Sequence, residues 1–595
     1  MIGNKKKTPP KRSRNNTGKK STDKKASRNK SANKRVVKKE PESLLIKWRL
    51  YVVLGFVVFA FFALVGRAAY IQVIEPDNLI RQGDMRSVRV KALPSARGII
   101  SDRNDEQLAV SVPVQAVWAD PVAIYKAGGI QERERWYALA DVLSLDREGL
   151  IKKIEKNKKR RFIYLQRQVS PAMANYIKEL KLKGVGLNNE SRRYYPSGEV
   201  SAHVIGVTGI DDKGLEGVER SYDSWLTGEA GKQTIRKDRY GRVVENISLN
   251  ERKEGKPLRL TIDQRLQAIA YRAIKQSVAD HRATSGSIVI LDVETGEILA
   301  MVNAPSYNPN NREQLQSFRM RNRTITDALE PGSTVKPFVV LAALENDVAD
   351  SNTVIDTGNG IMQIGGSRVR DTSKIGKADL PTILKKSSNI GVAKLALDMP
   401  LEALLGMYSS VGFGSTSGIN LIGETEGIFP NRRRWSQFEI ATLAFGYGLS
   451  VTPVQLAHAY ATLGSYGMYR PLHVVEGNKH DRSRQVVDKE NAKYVLEMLE
   501  KVTQEGGTAT RAAVPGYRIA AKTGTSRKAT AGGYSDEYVA VVAGVAPVSK
   551  PKVAMVVIVN EPQGDLYYGG SVAGPVFSKV MKSTLQVLNI APDAK

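Results

Sequence analysis

Leu50 to Gly66 reads LYVVLGFVVFAFFALVG, a run with no charged residue. It is close to the shortest apolar stretch that can cross a bilayer as a helix. Before it, residues 1–49 carry eighteen Lys or Arg against three acidic residues, and almost no large apolar side chain precedes Val36. Such a tail cannot bury a core and is expected to be disordered. Trp48 and Arg49 on one side, and Arg67 and Tyr70 on the other, suit the two membrane interfaces. A buried core helix seldom follows so basic a tail. A cleaved signal peptide would have a shorter charged region and a shorter apolar run. The segment therefore predicts an uncleaved signal anchor, with the tail in the cytoplasm and everything after Arg67 outside. A nucleic-acid-binding arm is the second reading of the tail.

The tail contributes 18 − 3 = 15 of the net charge of +29. Over all 595 residues the chain is 42% hydrophobic and 25% charged, an ordinary globular balance. That excludes a wholly disordered chain, a collagen and a polytopic transporter, and leaves room for several domains. There are no cysteines, so disulfides, thiolate metal sites and a Cys nucleophile are excluded. The five histidines (His203, His281, His458, His473 and His480) are scattered. They give little support to a His-based zinc site or a Ser-His-Asp triad.

The body divides near residue 255. Residues 67–255 mix short strands, turns and charged amphipathic helices, among them Glu134–Leu143 and Pro171–Lys183. Gly206–Gly241 is so punctuated by Gly and charge that the module reads as elongated, a spacer or binding part. From Leu258 the texture changes. Asp263 is placed to cap a helix whose apolar positions include Leu266, Ile269, Ala270 and Ala273. Gly286–Val293 and Glu297–Val302 read as a hairpin about Thr295-Gly296. Tyr517–Ala521, Tyr538–Ala546 and Val553–Asn560 read as three further strands, and Ser571–Leu588 as a closing helix. Strands at both ends with helices between them predict an α+β domain whose termini meet in one antiparallel sheet.

Three short motifs carry chemistry. Ser333-Thr334-Val335-Lys336 follows Glu330-Pro331-Gly332 and precedes an apolar run. The i,i+3 spacing puts the hydroxyl and the amine on one helix face. A serine becomes a nucleophile when a nearby base takes its proton, and a lysine of lowered pKa can do so. The spacing alone is weak, since it recurs at Ser21/Lys24, Ser27/Lys30, Ser31/Lys34 and Ser549/Lys552. Ser387-Ser388-Asn389 offers a hydroxyl and a carboxamide to one cleft, although most such triplets are surface turns. Lys522-Thr523-Gly524-Thr525 ends an apolar strand with a cation and two hydroxyls suited to a carboxylate. Gly524 leaves room for a substrate backbone pairing with the strand edge; the plainer reading of Lys522 is an edge-strand guard against aggregation.

In this order, inside one α+β domain, the three motifs resemble the signature of the serine penicillin-recognising superfamily. Arg97–Arg103, Arg193–Gly198, Gly214–Glu219 and Arg236–Gly241 resemble the non-catalytic module of class B penicillin-binding proteins. Arg321–Asp327, Phe445–Gly448 and Tyr567–Gly570 are similar to the division-specific branch of that class. The resemblance implies a transmembrane anchor, an elongated pedestal or dimerisation-type module and a transpeptidase domain with a five-stranded antiparallel sheet, flanking helices and a helical subdomain. The corresponding ranges are 1–49 for the tail, 50–66 for the anchor, 67–255 for the pedestal and 256–590 for the transpeptidase domain. It further implies Ser333 as the acylated nucleophile, Lys336 as its base, Ser387 as a proton relay and Asn389 as a peptide-carbonyl ligand. Lys522, Thr523 and Thr525 would hold a terminal carboxylate, beside Gly524, and the backbone N–H groups of Ser333 and Thr525 would form an oxyanion hole. Lys522 would stay charged against that carboxylate while its field keeps Lys336 neutral.

The expected activity is D,D-transpeptidation of peptidoglycan stem peptides at the septum, without metal or organic cofactor and with β-lactams as acylating inhibitors. The expected setting is the bacterial inner membrane, with the catalytic domain periplasmic. Expected partners are an FtsW-like membrane glycan polymerase and other division proteins, and no specific nucleic acid. The competing readings are a serine β-lactamase or carboxypeptidase, a bifunctional class A synthase, an elongation-specific class B enzyme and a scaffold with a dead site.

Overall fold

The computed structural model describes residues 47–93, 95–238, 242–477, 483–530 and 533–594. The basic tail up to Ile46 lies outside the described residues, as do His480 and the Arg239-Tyr240-Gly241 end of one pedestal motif. The chain separates into two units, Met1–Ser87 and Val88–Lys595.

In the first unit, helix α1 (Lys47–Ala69) contains the whole uncharged run and has no buried residue. It continues through one π turn, Tyr70–Ile74, giving one apolar helix long enough to cross a membrane. An unburied helix that is apolar all round fits a membrane anchor. Arg67 lies 5.4 Å over the Tyr70 ring, the basic and aromatic pairing that suits an interface. A second helix, α2 (Pro76–Ser87), ends the unit.

The second unit begins with strand β1 (Val88–Leu93), the short β2 (Ile100–Ser101) and the long β3 (Gln107–Ala119). β3 pairs antiparallel with both β4 (Ile163–Val169) and β5 (Val185–Tyr194). Trp136, Leu139, Leu150 and Ile154, from two helices, bury against this sheet. Those helices are Arg133–Val142 and Arg147–Lys156. The helix expected over Pro171–Lys183 stops at Glu179. β1 also joins β6 (Gly231–Lys237) and β7 (Val243–Asn250) in a separate three-stranded sheet.

Three of the pedestal motifs meet at one buried carboxylate. Glu219 is fully buried, and Arg97 and Arg193 are nearly so. Arg97 donates through Nε to Glu219 Oε2 at 2.5 Å, and Arg193 donates through Nε to Glu219 Oε1 at 2.6 Å. Both guanidiniums make further hydrogen bonds. Arg97 reaches Asp223 Oδ1 (2.7 Å) and the Glu219 carbonyl (2.6 Å), and Arg193 reaches the Gly98 carbonyl (2.7 Å). Buried charges persist when paired and hydrogen-bonded in this way. Residues far apart in sequence are thereby clamped to one point.

The pedestal is stitched to the transpeptidase-like half of the chain. β8 (Leu258–Arg259) pairs parallel with β2. Asp102, beside β2, accepts from the Gln264 N–H (3.0 Å) at the start of the next helix. Asn310 exchanges two hydrogen bonds with the Tyr195 backbone, at 3.0 and 2.9 Å.

That next helix, α3 (Gln264–Asp280), has the expected Asp263 cap, whose Oδ1 accepts from Arg265 N–H at 3.0 Å. The hairpin strands are β9 (Ser285–Asp292) and β10 (Ile298–Ala304). The helical middle includes α4 (Lys336–Glu345), α5 (Leu380–Lys386), α6 (Asn389–Asp398), α7 (Pro453–Gly464) and α8 (Lys489–Thr503). The chain returns as β11 (Ala520–Thr530), β12 (Gly533–Ala546), β13 (Val553–Asn560) and the closing helix α9 (Gly569–Val587). The sheet order is β10-β9-β13-β12-β11, antiparallel throughout. The predicted meeting of both ends of the domain is the β9–β13 ladder.

Both faces of this sheet are covered, which explains its nearly unbroken Val, Ile and Ala content. Gly544 and Val545 alternate across β12. A side chain at Gly544 would strike Phe577 of α9, whereas Gly464 of α7 abuts Val545. Every residue of α7 is buried. One expectation is corrected: the Lys-Thr-Gly segment does not end its strand. Tyr517–Ile519 precede β11, and β11 runs eight residues beyond Lys522 to Thr530. The sequence signal failed because Ser526, Arg527 and Lys528 are polar, the last two of them exposed. Their pairing with β12 is a tertiary matter.

Candidate active site

Ser333 sits on a 3₁₀ turn, Gly332–Val335, which leads directly into α4. The turn places Lys336 one step behind the serine, and Lys336 is fully buried. α4 is buried all round from Lys336 to Leu344, so the amine is held on a rigid core element. The Tyr460 hydroxyl of α7 donates to the Thr334 carbonyl at 2.8 Å. The Phe445–Gly448 segment pins the other side. Gly332 N–H donates to Gly446 O (3.1 Å), and a side chain at Gly446 would meet Gly332 O at 2.1 Å. Glu330 ties the same parts together, accepting from Gly448 N–H (2.9 Å) and the Tyr534 hydroxyl (3.1 Å).

Ser387 ends α5 in a left-handed conformation, φ 58°. That is costly for a residue with a Cβ, and such strain collects where a side chain must be aimed. Ser388 then caps α6, and Asn389 is its first residue. The reading of this triplet as a surface turn fails: Ser388 is buried, and the turn is gripped by Asp371. That carboxylate accepts from Ser388 Oγ (2.5 Å), Asn389 N–H (2.5 Å) and Ile390 N–H (3.0 Å).

Lys336 Nζ donates to Ser387 O (2.6 Å) and Asn389 Oδ1 (2.7 Å) and lies 3.2 Å from Ser387 Oγ. Lys522 Nζ, from edge strand β11, donates to the same Ser387 Oγ at 2.9 Å. Ser387 therefore bridges two buried lysines. Burial first, then the Lys522 cation, holds Lys336 well below the ordinary lysine range, against the opposing pull of Asp371. Burial also lowers Lys522, to about 7. Desolvation is the cause, because burial disfavours the charged form of an amine.

Ser333, Ser387, Asn389, Thr523 and Thr525 line one cleft of about 440 Å³, with Thr508, Thr510 and Arg511 lining its Thr523 end. Thr525 Oγ1 accepts from Gly569 N–H (2.9 Å), leaving its own proton for the cleft. Thr523 Oγ1 donates to Thr508 Oγ1 (3.1 Å). Gly524 has a different surrounding from the one expected. The space freed by its missing side chain is taken by the Ser333 turn: a Cβ there would meet Pro331 O at 2.8 Å and Thr334 Cγ2 at 2.9 Å. The glycine lets β11 press against the serine turn, so Gly332 lies beside Thr525.

Sequence reasoning missed Asp371, Tyr460 and the Thr508–Arg511 end of the cleft. Nothing in the chain distinguishes Asp371 from its many fellow carboxylates until the hairpin preceding it is folded. Of the competing Ser-x-x-Lys pairs, Ser549/Lys552 is away from the cleft, where Lys552 pairs with Glu294 at 2.5 Å. The three tail pairs lie outside the described residues. Among those residues no group of His, Asp and Glu could hold a metal.

A serine turn, two buried lysines joined by a second serine, and an open strand edge define the class of penicillin-recognising serine acyltransferases. The sequence matches the penicillin-binding protein transpeptidase domain over residues 286–582 and the penicillin-binding protein dimerisation domain over residues 92–260. It is 50% identical to the peptidoglycan D,D-transpeptidase FtsI of Escherichia coli K12, covering 94% of this chain and 95% of that one. It is 42% identical to the FtsI of Buchnera aphidicola subsp. Schizaphis graminum, over 93% and 98% of the two chains. The transpeptidase domain of Burkholderia pseudomallei penicillin-binding protein 3 superposes with a TM-score of 0.52 at 36% identity, covering 56% of this chain and 98% of that one. A peptidoglycan synthetase from Bifidobacterium adolescentis shares the fold over 85% of this chain and 98% of its own, with a TM-score of 0.68 at 24% identity. The chain belongs to the FtsI family of class B penicillin-binding proteins.

Proposed function

We propose that this chain cross-links peptidoglycan stem peptides at the division septum through an acyl-enzyme on Ser333, releasing D-alanine. The observation that carries the reading is the Lys336–Ser387–Lys522 relay beside Ser333 in one cleft. Neutral Lys336 takes the Ser333 proton as Oγ attacks the penultimate carbonyl. The Ser333 and Thr525 N–H groups stabilise the oxyanion. Ser387 passes the proton to the leaving D-alanine amine, and the C–N bond breaks. An amine of a second stem peptide then attacks the ester, gives its proton back through Lys336 and restores the Ser333 hydroxyl. Lys522, Thr523 and Thr525 hold the terminal carboxylate, and Asn389 orients a peptide carbonyl. β-Lactams enter the first half of this cycle.

Residues 256–590 form the catalytic domain in this reading, and 67–255 the pedestal on which an FtsW-like polymerase and other division proteins assemble. The apolar helix is a single-pass anchor, with the tail cytoplasmic and the catalytic domain periplasmic. The long pedestal and the family membership favour a transpeptidase over a β-lactamase.

A fluorescent penicillin should form one adduct per chain that decays slowly; rapid turnover would favour the β-lactamase reading. The acylation rate should be bell-shaped in pH. Below the Lys336 pKa the base is protonated and the rate falls. As pH rises through about 7, Lys522 loses the charge that binds the carboxylate, so the alkaline limb belongs to carboxylate-bearing ligands. The two limbs report the coupled pair. A flat profile between about pH 5 and 10 would overturn these assignments.

Asp371 is a positioning residue. Asp371→Asn should slow acylation roughly tenfold to a hundredfold, the effect of a misplaced relay. It should also move the acid limb to lower pH, because the carboxylate raises the Lys336 pKa. A loss of rate with no movement of that limb would leave Asp371 a purely structural role.

A further inference from the structure

Beyond Asn389, Phe445 and Tyr447 the catalytic cleft adjoins a second cavity of about 540 Å³. One wall is the hairpin Ile361–Ile364/Ser367–Arg370. The other is the start of the helix Gln437–Ala444, with Trp435 before it. The hairpin is anchored from beneath: Ile364 and Val369 bury against Ile390, Ala393 and Ala441. Strand periodicity then turns Arg368 and Arg370, the neighbours of Val369, to the opposite, exposed face.

Four arginines line this cavity, and two of them are already neutralised. Arg432 pairs with Glu439 and stacks on Trp435, and Arg527 pairs with Asp536 at 3.0 Å. Among the described residues, neither Arg368 nor Arg370 has an ion-pair partner, and Arg368 makes only a 3.3 Å bond to Gln363 Oε1. Arg370 is tied to the chemistry through its backbone. Its carbonyl accepts from Asn389 Nδ2 at 2.8 Å, while Asn389 Oδ1 accepts from Lys336. The cavity thus offers two uncommitted guanidiniums over an aromatic floor that includes Phe445 and Tyr447, adjoining the scissile position.

We propose that this cavity holds the part of the donor stem peptide that precedes the scissile bond, with a carboxylate of that segment on Arg370 and Arg368. The inference rests on the Ser333 acyl-transfer reading. The direction follows from the reaction. The terminal carboxylate occupies the Lys522/Thr523/Thr525 end, so the acyl portion must leave the cleft the other way, past Asn389. The acceptor amine enters where the D-alanine amine departed, since bond making retraces bond breaking. The acceptor therefore uses the Thr508–Arg511 end and not this cavity. Guanidinium forks suit carboxylates in bidentate geometry.

The test uses the full chain in detergent and its Arg368→Ala/Arg370→Ala variant. Two D-Ala-D-Ala pentapeptides serve as donors, one with a carboxylate upstream of the scissile bond and one with that carboxylate amidated. D-Alanine release is followed, with labelling by a penicillin of neutral side chain as the control for a folded, reactive Ser333. The variant should lose roughly tenfold in kcat/KM on the carboxylate peptide, mostly in KM. It should change less than about twofold on the amide, and Arg370→Lys should recover part of the loss. Equal losses on both peptides, or no loss on either, would overturn the proposal. So would unchanged acylation with altered partition of the acyl-enzyme between cross-link and hydrolysis, which would make the cavity an acceptor site. Failure of the unmodified chain to label with penicillin would bring down the acyl-transfer reading and this inference together.

Discussion

Ser333→Ala should form no penicillin adduct in intact mass measurement, and its D-alanine release should fall by about 10⁴-fold or more, the scale seen when a catalytic unit loses its nucleophile. The serine lies half-buried on a turn held by other contacts. Thr334 O is fixed by Tyr460, and Gly332 N–H by Gly446 O. Removing one hydroxyl therefore leaves the turn in place, and the loss reports chemistry and not folding. Lys336→Ala should fall almost as far, because the amine and the hydroxyl act as one unit. Combining the two should cost little more than either alone. The doubled variant is informative in a second way: two losses that multiplied would mean that Lys336 does not act through Ser333. A surviving adduct on Ser333→Ala would move the nucleophile elsewhere and remove the proposed mechanism.

The second large effect lies far from the chemistry. Glu219→Ala should destabilise the pedestal by about 3–5 kcal/mol, the usual result of leaving buried charges without their partner. Both Glu219 oxygens are engaged, one by Arg97 and one by Arg193, and all three side chains are at most 2% exposed. Hydrogen–deuterium exchange measures this locally. Amides near residues 97–112, 190–195 and 214–226 should exchange on the order of a hundredfold faster. The β9–β13 ladder of the transpeptidase sheet serves as the internal reference. Glu219→Gln keeps the shape and should fall between the two. Exchange unchanged within about twofold in Glu219→Ala would mean that the arginines find other partners and that the cluster is not the pedestal's keystone.

The apolar run, the domain order and the three short motifs that line the cleft were legible because each is local. An uncharged stretch of membrane length, a capped amphipathic helix at Asp263 and a hairpin at Thr295-Gly296 depend on residues within a few positions of one another. The resemblance then linked the motifs as a set. It could name Arg97, Arg193 and Glu219 as parts of recurring segments, but gave no reason for them. Their common purpose became visible only when the fold brought them within hydrogen-bond distance.

The misreadings share a cause. Ser526–Thr530 looked like chain beyond the end of a strand because they are mostly polar, yet β11 continues through them, since an edge strand follows its partner and not its own composition. Gly524 was expected to make room for substrate; it makes room for the serine turn, a contact between segments almost two hundred residues apart. The lowering of Lys522 to about 7 had no signal in the sequence either, because burial is a property of the assembled core. By itself, then, the sequence determined which chemical groups are present and which short elements carry them, because side-chain identity and local periodicity are written residue by residue. Only the tertiary structure decided how those groups are charged, what holds them and which cavity adjoins them, because desolvation, ion pairing and register arise between segments that the chain keeps far apart.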